Sequence, residues 1–271
     1  MARDVLTRAA RPPELSLAYG PHPDQVVDVR LNAAAAPAPL VVVVHGGFWR
    51  AEWDRAHAGP LSETLADAGY AVATVEYRRI GTQGGGWPGT FDDLALLTDR
   101  VPALVADTVR GRRVDPDRTV LVGHSAGGHL VTWAVARHRL PAGSRWHRAT
   151  PLPVSGVVAL AGVVDLAAAV RLRLDAGAAQ QLLGGQRRLA DRLAVTDPIA
   201  LLPSGARTVL VHGSADAQVP VELSRTYAAT ALEAGDPVEL RELAGAGHFD
   251  LIDPLSPAWP SVPAAVAALL A

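Results

Sequence analysis

Gly123-His124-Ser125-Ala126-Gly127 stands between an apolar run at 119–122 and a helix-like segment at 126–139. The run predicts a short buried strand, and the segment predicts a helix with one apolar face. Gly-x-Ser-x-Gly on a strand-to-helix turn is typical of a nucleophile elbow, which exposes the serine at the carboxyl edge of a sheet. Both glycines are needed because a side chain there would collide with the neighbouring strand or helix. The pattern therefore predicts Ser125 as a nucleophile, with a helix-capping serine in an ordinary turn as the alternative.

Composition narrows the class of protein. The chain has 271 residues, 49% of them hydrophobic, and a net charge of -2, which suits one large α/β domain over 1–271. Near-neutral charge argues against nucleic acid or a membrane surface as a partner. The lack of cysteine excludes disulfides, thiolate catalysis and cysteine-ligated metals. The amino terminus lacks the apolar core of a signal peptide, and the apolar runs are shorter than a membrane span, so we expect a soluble, cytoplasmic protein.

Apolar runs of strand length alternate with helical patterns along the chain. The predicted strands are 26–31, 40–44, 71–75, 119–122, 157–160, 208–211 and 238–243, and the predicted helices are 61–68, 90–107, 126–139, 221–234 and 263–270. This alternation predicts an α/β fold with a mainly parallel central sheet and helices on both faces. Alternating polarity at 26–31 suggests an edge strand, and 33–39 suggests a surface connector. The segment 165–203 is too long for a simple crossover, so we expect a small cap insertion there.

A serine nucleophile requires a base that takes its proton, and we predict His248 for this role. Nine histidines compete for it, and position in the chain separates them. Histidines before the serine, within the elbow, beyond the elbow helix or on a strand end are less suitable: His22, His45, His57, His124, His129, His138, His147 and His212. His248 alone follows the final predicted strand, in the flexible turn Gly245-Ala246-Gly247-His248-Phe249.

The base requires an acidic partner that orients its ring and stabilises the imidazolium. Asp216 follows the predicted strand 208–211 and precedes His248 by one helix and one strand, so we predict it as the acid. Asp165, one strand earlier, is the rival, and the cap of a following helix is the more ordinary role for it. Serine, acid and histidine then follow one another in the order Ser125, Asp216, His248.

Attack on a carbonyl places negative charge on its oxygen, which backbone N–H groups can stabilise as an oxyanion hole. The N–H of Ala126, directly after the nucleophile, is one predicted donor. The stretch His45-Gly46-Gly47-Phe48-Trp49 follows the apolar run 40–44, and its glycines allow amides to turn towards a pocket. We therefore predict the amides of Gly47 and Phe48 as further donors, and we expect His45 to brace the loop.

With these parts in order, the chain resembles the α/β-hydrolase superfamily over essentially its full length. Within it, the chain is similar to the hormone-sensitive-lipase, kynurenine-formamidase and acetylxylan/feruloyl-esterase group. The residues that carry the resemblance are His45-Gly46-Gly47-Phe48-Trp49, Gly123 to Leu130, Glu76-Tyr77-Arg78, and Tyr19-Gly20-Pro21 with Gln25 to Val29. Phe48 stands where lipase-like relatives have a third glycine. The resemblance implies the α/β-hydrolase fold and a serine hydrolase that needs no cofactor.

Aromatic residues after the oxyanion stretch suggest a pocket for an apolar acyl or alcohol group. We predict substrate contacts for Trp49 and Trp87, although aromatics near strand ends also often pack in the core. No histidine pair with helical i, i+4 spacing lies beside a glutamate that could act as a general base, so we predict no metal. The favoured function is hydrolysis of small carboxylic esters through an acyl-enzyme. The alternatives are an aryl formamidase or peptidase-like amide hydrolase, or a non-catalytic binding protein of the same fold.

Overall fold

The computed structural model describes residues 4–31, 37–109 and 114–271. The described strands are β1 (Leu15–Ala18), β2 (Val26–Arg30), β3 (Ala38–Val44), β4 (Ala71–Val75), β5 (Val114–His124), β6 (Gly156–Leu160), β7 (Thr208–Gly213) and β8 (Val238–Leu243). The helices are α1 (Gly59–Asp67), α2 (Gly89–Thr108), α3 (Ala126–Val135), α4 (Leu166–Arg171), α5 (Leu174–Leu182), α6 (Leu189–Thr196), α7 (Glu222–Glu233) and α8 (Ser261–Leu270). Four short 3-10 helices accompany them, at Asp4–Thr7, Arg55–Ala58, Arg137–Arg139 and Pro198–Leu201.

The eight strands form one sheet in the order β1-β2-β4-β3-β5-β6-β7-β8. All neighbouring strands from β4 to β8 in this order are parallel. At the other end of the sheet, β2 pairs antiparallel with both β1 and β4. This confirms the predicted mainly parallel sheet. The prediction that 26–31 is an edge strand is wrong, because β1 pairs along β2 and covers its outer edge. With four residues, β1 is too short for its alternation to be recognised in the sequence.

Helices cover both faces of the sheet, as predicted. In β3, Leu40, Val42 and Val44 belong to one apolar core, and Val41 and Val43 belong to another on the opposite face. This alternation follows from the two-residue period of a strand. The first core also contains apolar residues of α2 and α3, and the second contains those of α1 and α8. Burial of β3 between the two layers explains its uninterrupted apolar sequence.

Several element boundaries differ from the predictions by a few residues. The elbow strand is longer than 119–122, and its helix ends at Val135, where a 3-10 turn takes over. The predicted connector 33–39 lies largely outside the described residues, and its last two residues begin β3. The segment 165–203 folds into α4, α5, α6 and a 3-10 helix between β6 and β7. Within the described ranges, none of the helices combines the length and apolar character needed to cross a membrane.

Candidate active site

The predicted nucleophile lies in a strained turn between β5 and α3. Ser125 has φ 55° and ψ -116°, a backbone conformation that residues other than glycine rarely adopt. Its N–H donates to the Leu160 carbonyl at 2.8 Å, and its carbonyl accepts from the Val163 N–H at 3.2 Å, which fixes the turn against β6. A Cβ at Gly123 would lie 2.2 Å from the Gly127 carbonyl oxygen, and one at Gly127 would lie 2.0 Å from the Val44 oxygen. The glycines therefore permit the close approach that the turn requires.

The predicted base and acid are joined by a hydrogen bond. His248 Nδ1 lies 2.7 Å from Asp216 Oδ2, and the Asp216 side chain is fully buried. Asp216 Oδ1 accepts from the backbone N–H groups of Gln218 at 2.8 Å and Val219 at 2.9 Å. Burial alone would raise the pKa of Asp216, but hydrogen bonds from His212, His248 and the backbone outweigh it and hold this pKa well below its usual range. The carboxylate is therefore ionised and oriented towards the His248 ring.

Ser125 and His248 open onto the same cavity, of about 200 Å³. The residues that line it are Leu6, Gly47, Phe48, Trp53, His57, His124, Ser125, Asp175, Gln218, His248 and Phe249. Across the described chain, no hydrogen bond joins the Ser125 hydroxyl to the His248 ring. Catalytic hydrogen bonds often tighten only when substrate is bound. Beside them, His124 Nε2 donates to the His248 carbonyl oxygen at 3.1 Å, which ties the elbow to the loop of His248.

The loop after β3 brings further backbone donors to this cavity. Gly47, Phe48 and Trp49 have φ of 102°, 48° and 58°, three consecutive residues in the left-handed region. The N–H groups of Gly47, Phe48 and Ala126 donate to no other group in the described ranges. Gly47 and Phe48 line the cavity, and Ala126 begins α3 directly after Ser125. Within the described ranges, these three N–H groups are therefore without a protein partner, and their residues line or adjoin the cavity.

A buried network supports the loop from behind. His45 Nε2 donates to Glu76 Oε1 at 2.8 Å, and the Tyr77 hydroxyl donates to the His45 carbonyl at 3.0 Å. Burial alone would raise the pKa of Glu76, but its contacts with His45 and Arg79 and the N–H of Arg55 bring it down to about 2. His45 therefore contacts an ionised carboxylate and does not line the cavity, which fits the expected bracing role.

The two predicted substrate contacts lie away from this cavity. Trp49 is 1% exposed, and its ring packs edge-on against His129 with centroids 5.3 Å apart. Trp87 packs against Trp146 with centroids 5.0 Å apart. Neither lines the cavity, so the predicted contacts of Trp49 and Trp87 are corrected to core packing. Trp53 does line the cavity. It packs so closely on Gly47 that a Cβ at Gly47 would lie 2.4 Å from the Trp53 Cβ, so only glycine fits at that position.

Other cavity residues were not predicted from the sequence. Asp175 reaches the cavity from α5, where Asp175, Ala176 and Gly177 have positive φ. Arg50 holds this turn, because its guanidinium contacts the Asp175 carboxylate at 2.5 Å and Gln181 Oε1 at 2.9 Å. Left-handed residues other than glycine leave little signal in a sequence, which explains why this contact was missed.

The rival acid has a different position. Asp165 Oδ1 accepts from the Ala168 N–H at 2.6 Å and so caps α4, the role that the sequence favoured for it. The His248 ring bonds to Asp216 instead. Over the described residues, no group of three or more histidine, aspartate or glutamate side chains has the arrangement of a metal site.

Comparison with known proteins places this geometry in context. The chain matches the BD-FAE family over residues 27–230. It is 27% identical to the probable isoprenylcysteine alpha-carbonyl methylesterase ICME of Oryza sativa subsp. japonica, over 89% of this chain and 59% of that protein. It is 28% identical to esterase LipQ of Mycobacterium tuberculosis, over 86% of this chain and 56% of that protein. The chain thus spans just over half the length of these curated relatives.

Solved structures show the same fold. A truncated carbohydrate esterase from gut microbiota superposes with a TM-score of 0.78 at 20% identity, covering 96% of this chain and 99% of that one. Esterase B from Lactobacillus Rhamnosis superposes with a TM-score of 0.75 at 20% identity, covering 99% of this chain and 90% of that one. Together with the sheet order and the elbow, these superpositions confirm the predicted α/β-hydrolase fold. The family match covers most of the chain, and the chain therefore belongs to the BD-FAE family.

Proposed function

We propose that this chain is a serine esterase that hydrolyses small carboxylic esters through an acyl-enzyme. The observation that carries the proposal is the meeting of Ser125 and the His248–Asp216 pair at one cavity, next to three unpaired backbone N–H groups. These are the nucleophile, the oriented base and the oxyanion donors that acyl transfer requires. The named relatives support an ester as the substrate, because both are described as esterases.

In the first half of the reaction, the Ser125 hydroxyl attacks the ester carbonyl carbon and its proton passes to His248 Nε2. Negative charge then moves to the carbonyl oxygen, where the amides of Gly47, Phe48 and Ala126 stabilise it. Asp216 stabilises the imidazolium through the 2.7 Å hydrogen bond to Nδ1. When the carbonyl re-forms, the bond to the alcohol oxygen breaks and His248 delivers the proton to it. An acyl-Ser125 ester and a free alcohol result.

In the second half, water replaces the alcohol. His248 takes a proton from water as the water oxygen attacks the acyl carbon, and the same amides hold the new oxyanion. The bond to Ser125 Oγ then breaks, and the proton returns from His248 to that oxygen. The products are a carboxylic acid and the free serine. No cofactor enters either half, and the same three groups serve both.

The cavity supports a short acyl group. At about 200 Å³, it is smaller than the pockets that hold drug-sized ligands. Leu6, Phe48, Trp53 and Phe249 give it apolar walls. A structural relative, the Thermogutta terrifontis esterase Est2, was solved with propionate and with butyrate bound. We propose acetyl to butyryl esters as substrates, and the 165–203 segment as a small cap that contributes Asp175 to the rim.

A panel of chromogenic substrates tests this function. We expect hydrolysis of p-nitrophenyl acetate and butyrate, a clear loss with a long acyl chain, and little turnover of an aryl formamide such as N-formylkynurenine. The amide alternative has no support from the named relatives, which are esterases. Preferred cleavage of the formamide over both esters would overturn the assignment of the reaction. Activity that survives Ser125→Ala would overturn the mechanism.

A further inference from the structure

A second imidazole lies against the same carboxylate oxygen of Asp216 that His248 contacts. His212 lies near the end of β7, four positions before Asp216. Its Nε2 donates to the Val219 carbonyl at 3.0 Å and lies 3.3 Å from Asp216 Oδ2. Its Nδ1 lies 2.7 Å from the Ser224 hydroxyl on α7. The ring is fully buried and lines no part of the active cavity.

The surroundings of the ring fix its tautomer. The Val219 carbonyl and the Asp216 carboxylate can only accept, so His212 Nε2 carries the hydrogen. In the neutral ring, Nδ1 accepts the hydrogen bond from the Ser224 hydroxyl. Ser224 is 1% exposed, so this partner is held in place. The N–H end of the His212 ring is therefore kept towards the carboxylate that serves His248.

Within the described residues, the other hydrogen bonds of the acid loop are to its own backbone, to Leu243 at the end of β8 and to the loop of His248. Asp216 accepts from two amides of its own turn, and the Ala215 N–H donates to the Ala246 carbonyl at 3.0 Å. His212 joins the two ends of this turn, because it lies at its start and bonds to Val219 at its end. The His212 N–H, 3.3 Å from Asp216 Oδ2, favours the ionised carboxylate and lowers the pKa of Asp216 against the effect of burial.

We propose that His212 is a positioning residue that keeps the Asp216 carboxylate directed at His248 and offsets part of its negative charge through the Nε2–H, with Ser224 fixing the His212 tautomer. The inference rests on the proposed function. A purely structural role, in which His212 only closes the loop through Val219, is the competing explanation. The two differ in whether the His212 ring changes the charge that Asp216 presents to His248.

Within the described residues, few other charged groups lie near the contacts among His212, Asp216 and His248. The His124 ring lies tilted beside the His248 ring, with ring centroids 4.6 Å apart. On β8, Glu242 lies in register with His212, and its carboxylate pairs with Arg225 at 2.6 Å. Neither Glu242 nor Arg225 contacts Asp216, and none of the substitutions proposed below alters these groups. A changed pH profile would therefore report on the contact between His212 and Asp216.

The test compares His212→Leu, His212→Gln and Ser224→Ala for p-nitrophenyl acetate hydrolysis across pH. His212→Leu removes the N–H that lies 3.3 Å from the Asp216 carboxylate, so we expect kcat to fall about ten- to a hundredfold with little change in KM. The acidic limb of the kcat/KM profile should move to higher pH, because Asp216 then presents more uncompensated charge to His248. His212→Gln retains an N–H donor and should recover part of kcat. Ser224→Ala should have a smaller effect in the same direction.

His129→Leu is the matched control. His129 is also a fully buried histidine that bonds to a carbonyl, from Nε2 to Thr196 O at 2.9 Å. Its ring packs against Trp49 and Phe91, and only its backbone N–H, which the substitution keeps, bonds to the Ser125 carbonyl. We expect it to lower the melting temperature without moving the acidic limb. If His212→Leu behaves like His129→Leu, the positioning role is refuted. If His212→Leu does not fold, an unmoved limb in both His212→Gln and Ser224→Ala refutes it instead.

Ser125→Ala separates failure of this inference from failure of the proposed function. An inactive Ser125→Ala protein beside a fully active His212→Leu protein would refute only the role of His212. Activity retained by Ser125→Ala would refute the serine mechanism itself.

Discussion

Asp216 Oδ2 lies 2.7 Å from His248 Nδ1, although 32 positions of chain separate the two residues. The contact arises because β7 and β8 are parallel neighbours whose carboxyl ends meet at one edge of the sheet. The Ser214 N–H donates to the Leu243 carbonyl at 2.9 Å and ties the two loops together just beyond the strands. Position in the sheet thus determines which acid meets which base.

Kinetics of Asp216→Asn and Asp165→Asn test whether Asp216, rather than Asp165, is the acid that orients His248. We expect Asp216→Asn to lower kcat by roughly ten-thousandfold, because the amide favours the wrong tautomer of His248. Asp165→Asn should keep activity within about twofold, since asparagine also caps helices. Steady-state kinetics on a short-chain p-nitrophenyl ester measure both. A larger loss for Asp165→Asn would mean that the acid has been misassigned.

The elbow glycines give a steric prediction. A Cβ in Gly127→Ala would lie 2.0 Å from the Val44 carbonyl oxygen, so the strand or the turn must move. We expect a loss of activity and a drop in the free energy of unfolding of more than about 3 kcal/mol. Gly143→Ala is the control, because a Cβ there meets nothing within 4 Å and Gly143 has no positive φ. Thermal melts should separate the two variants clearly, and equal melting temperatures would show that the elbow is looser than described.

Acid should destabilise the fold. Burial lowers the pKa of His57 and of His129 to about 4, and Glu76 titrates at about 2. The unfolded chain therefore binds more protons than the folded one, so stability is complete above the ordinary histidine pKa of 6.5 and falls as pH drops towards 4. Glu76 adds a further loss below its ordinary pKa of 4.5. Asp197, with its pKa raised by burial to about 6, acts in the opposite direction as pH falls below that value.

Urea unfolding at a series of pH values measures this dependence. We expect the midpoint to decrease steadily below about pH 6.5, since the two lowered imidazoles, joined by Glu76 below about pH 4.5, outweigh the one raised carboxyl group. His129→Gln should flatten the decrease, because it removes one of the buried imidazoles. A midpoint that rises between neutral pH and about pH 4.5 would contradict the assignment of these groups as buried and neutral.

Arg50 connects the loop of the oxyanion donors to the proposed cap. Its N–H donates to the Gly47 carbonyl at 3.0 Å, and its guanidinium holds the Asp175 turn of α5. Arg50→Ala should loosen this rim and raise KM about two- to tenfold, with a smaller change in kcat. Arg188→Ala is the control, because Arg188 pairs with Asp191 in the same segment, at 3.2 Å, with the two side chains 69% and 67% exposed. Equal kinetics for the two variants would show that the 165–203 segment does not shape the site.

Much of the fold could be predicted because its signals are local. The apolar run of β3 and the glycines on either side of Ser125 each act within a few residues. Trp49 could not be placed in this way, because positive φ at Phe48 and Trp49 turns the chain and sends the indole into the core. The role inferred for His212 depends on the exact path of the turn up to Val219, which no spacing rule describes.

The central claim, that Ser125 is the nucleophile, is tested most directly by labelling the protein with a fluorophosphonate and mapping the adduct by mass spectrometry. The account predicts one adduct, on the peptide that contains Ser125, and loss of esterase activity in proportion to its formation. It also predicts that His248→Ala greatly slows labelling, since the hydroxyl then lacks its base. An adduct on another residue, or full activity in the labelled protein, would contradict it.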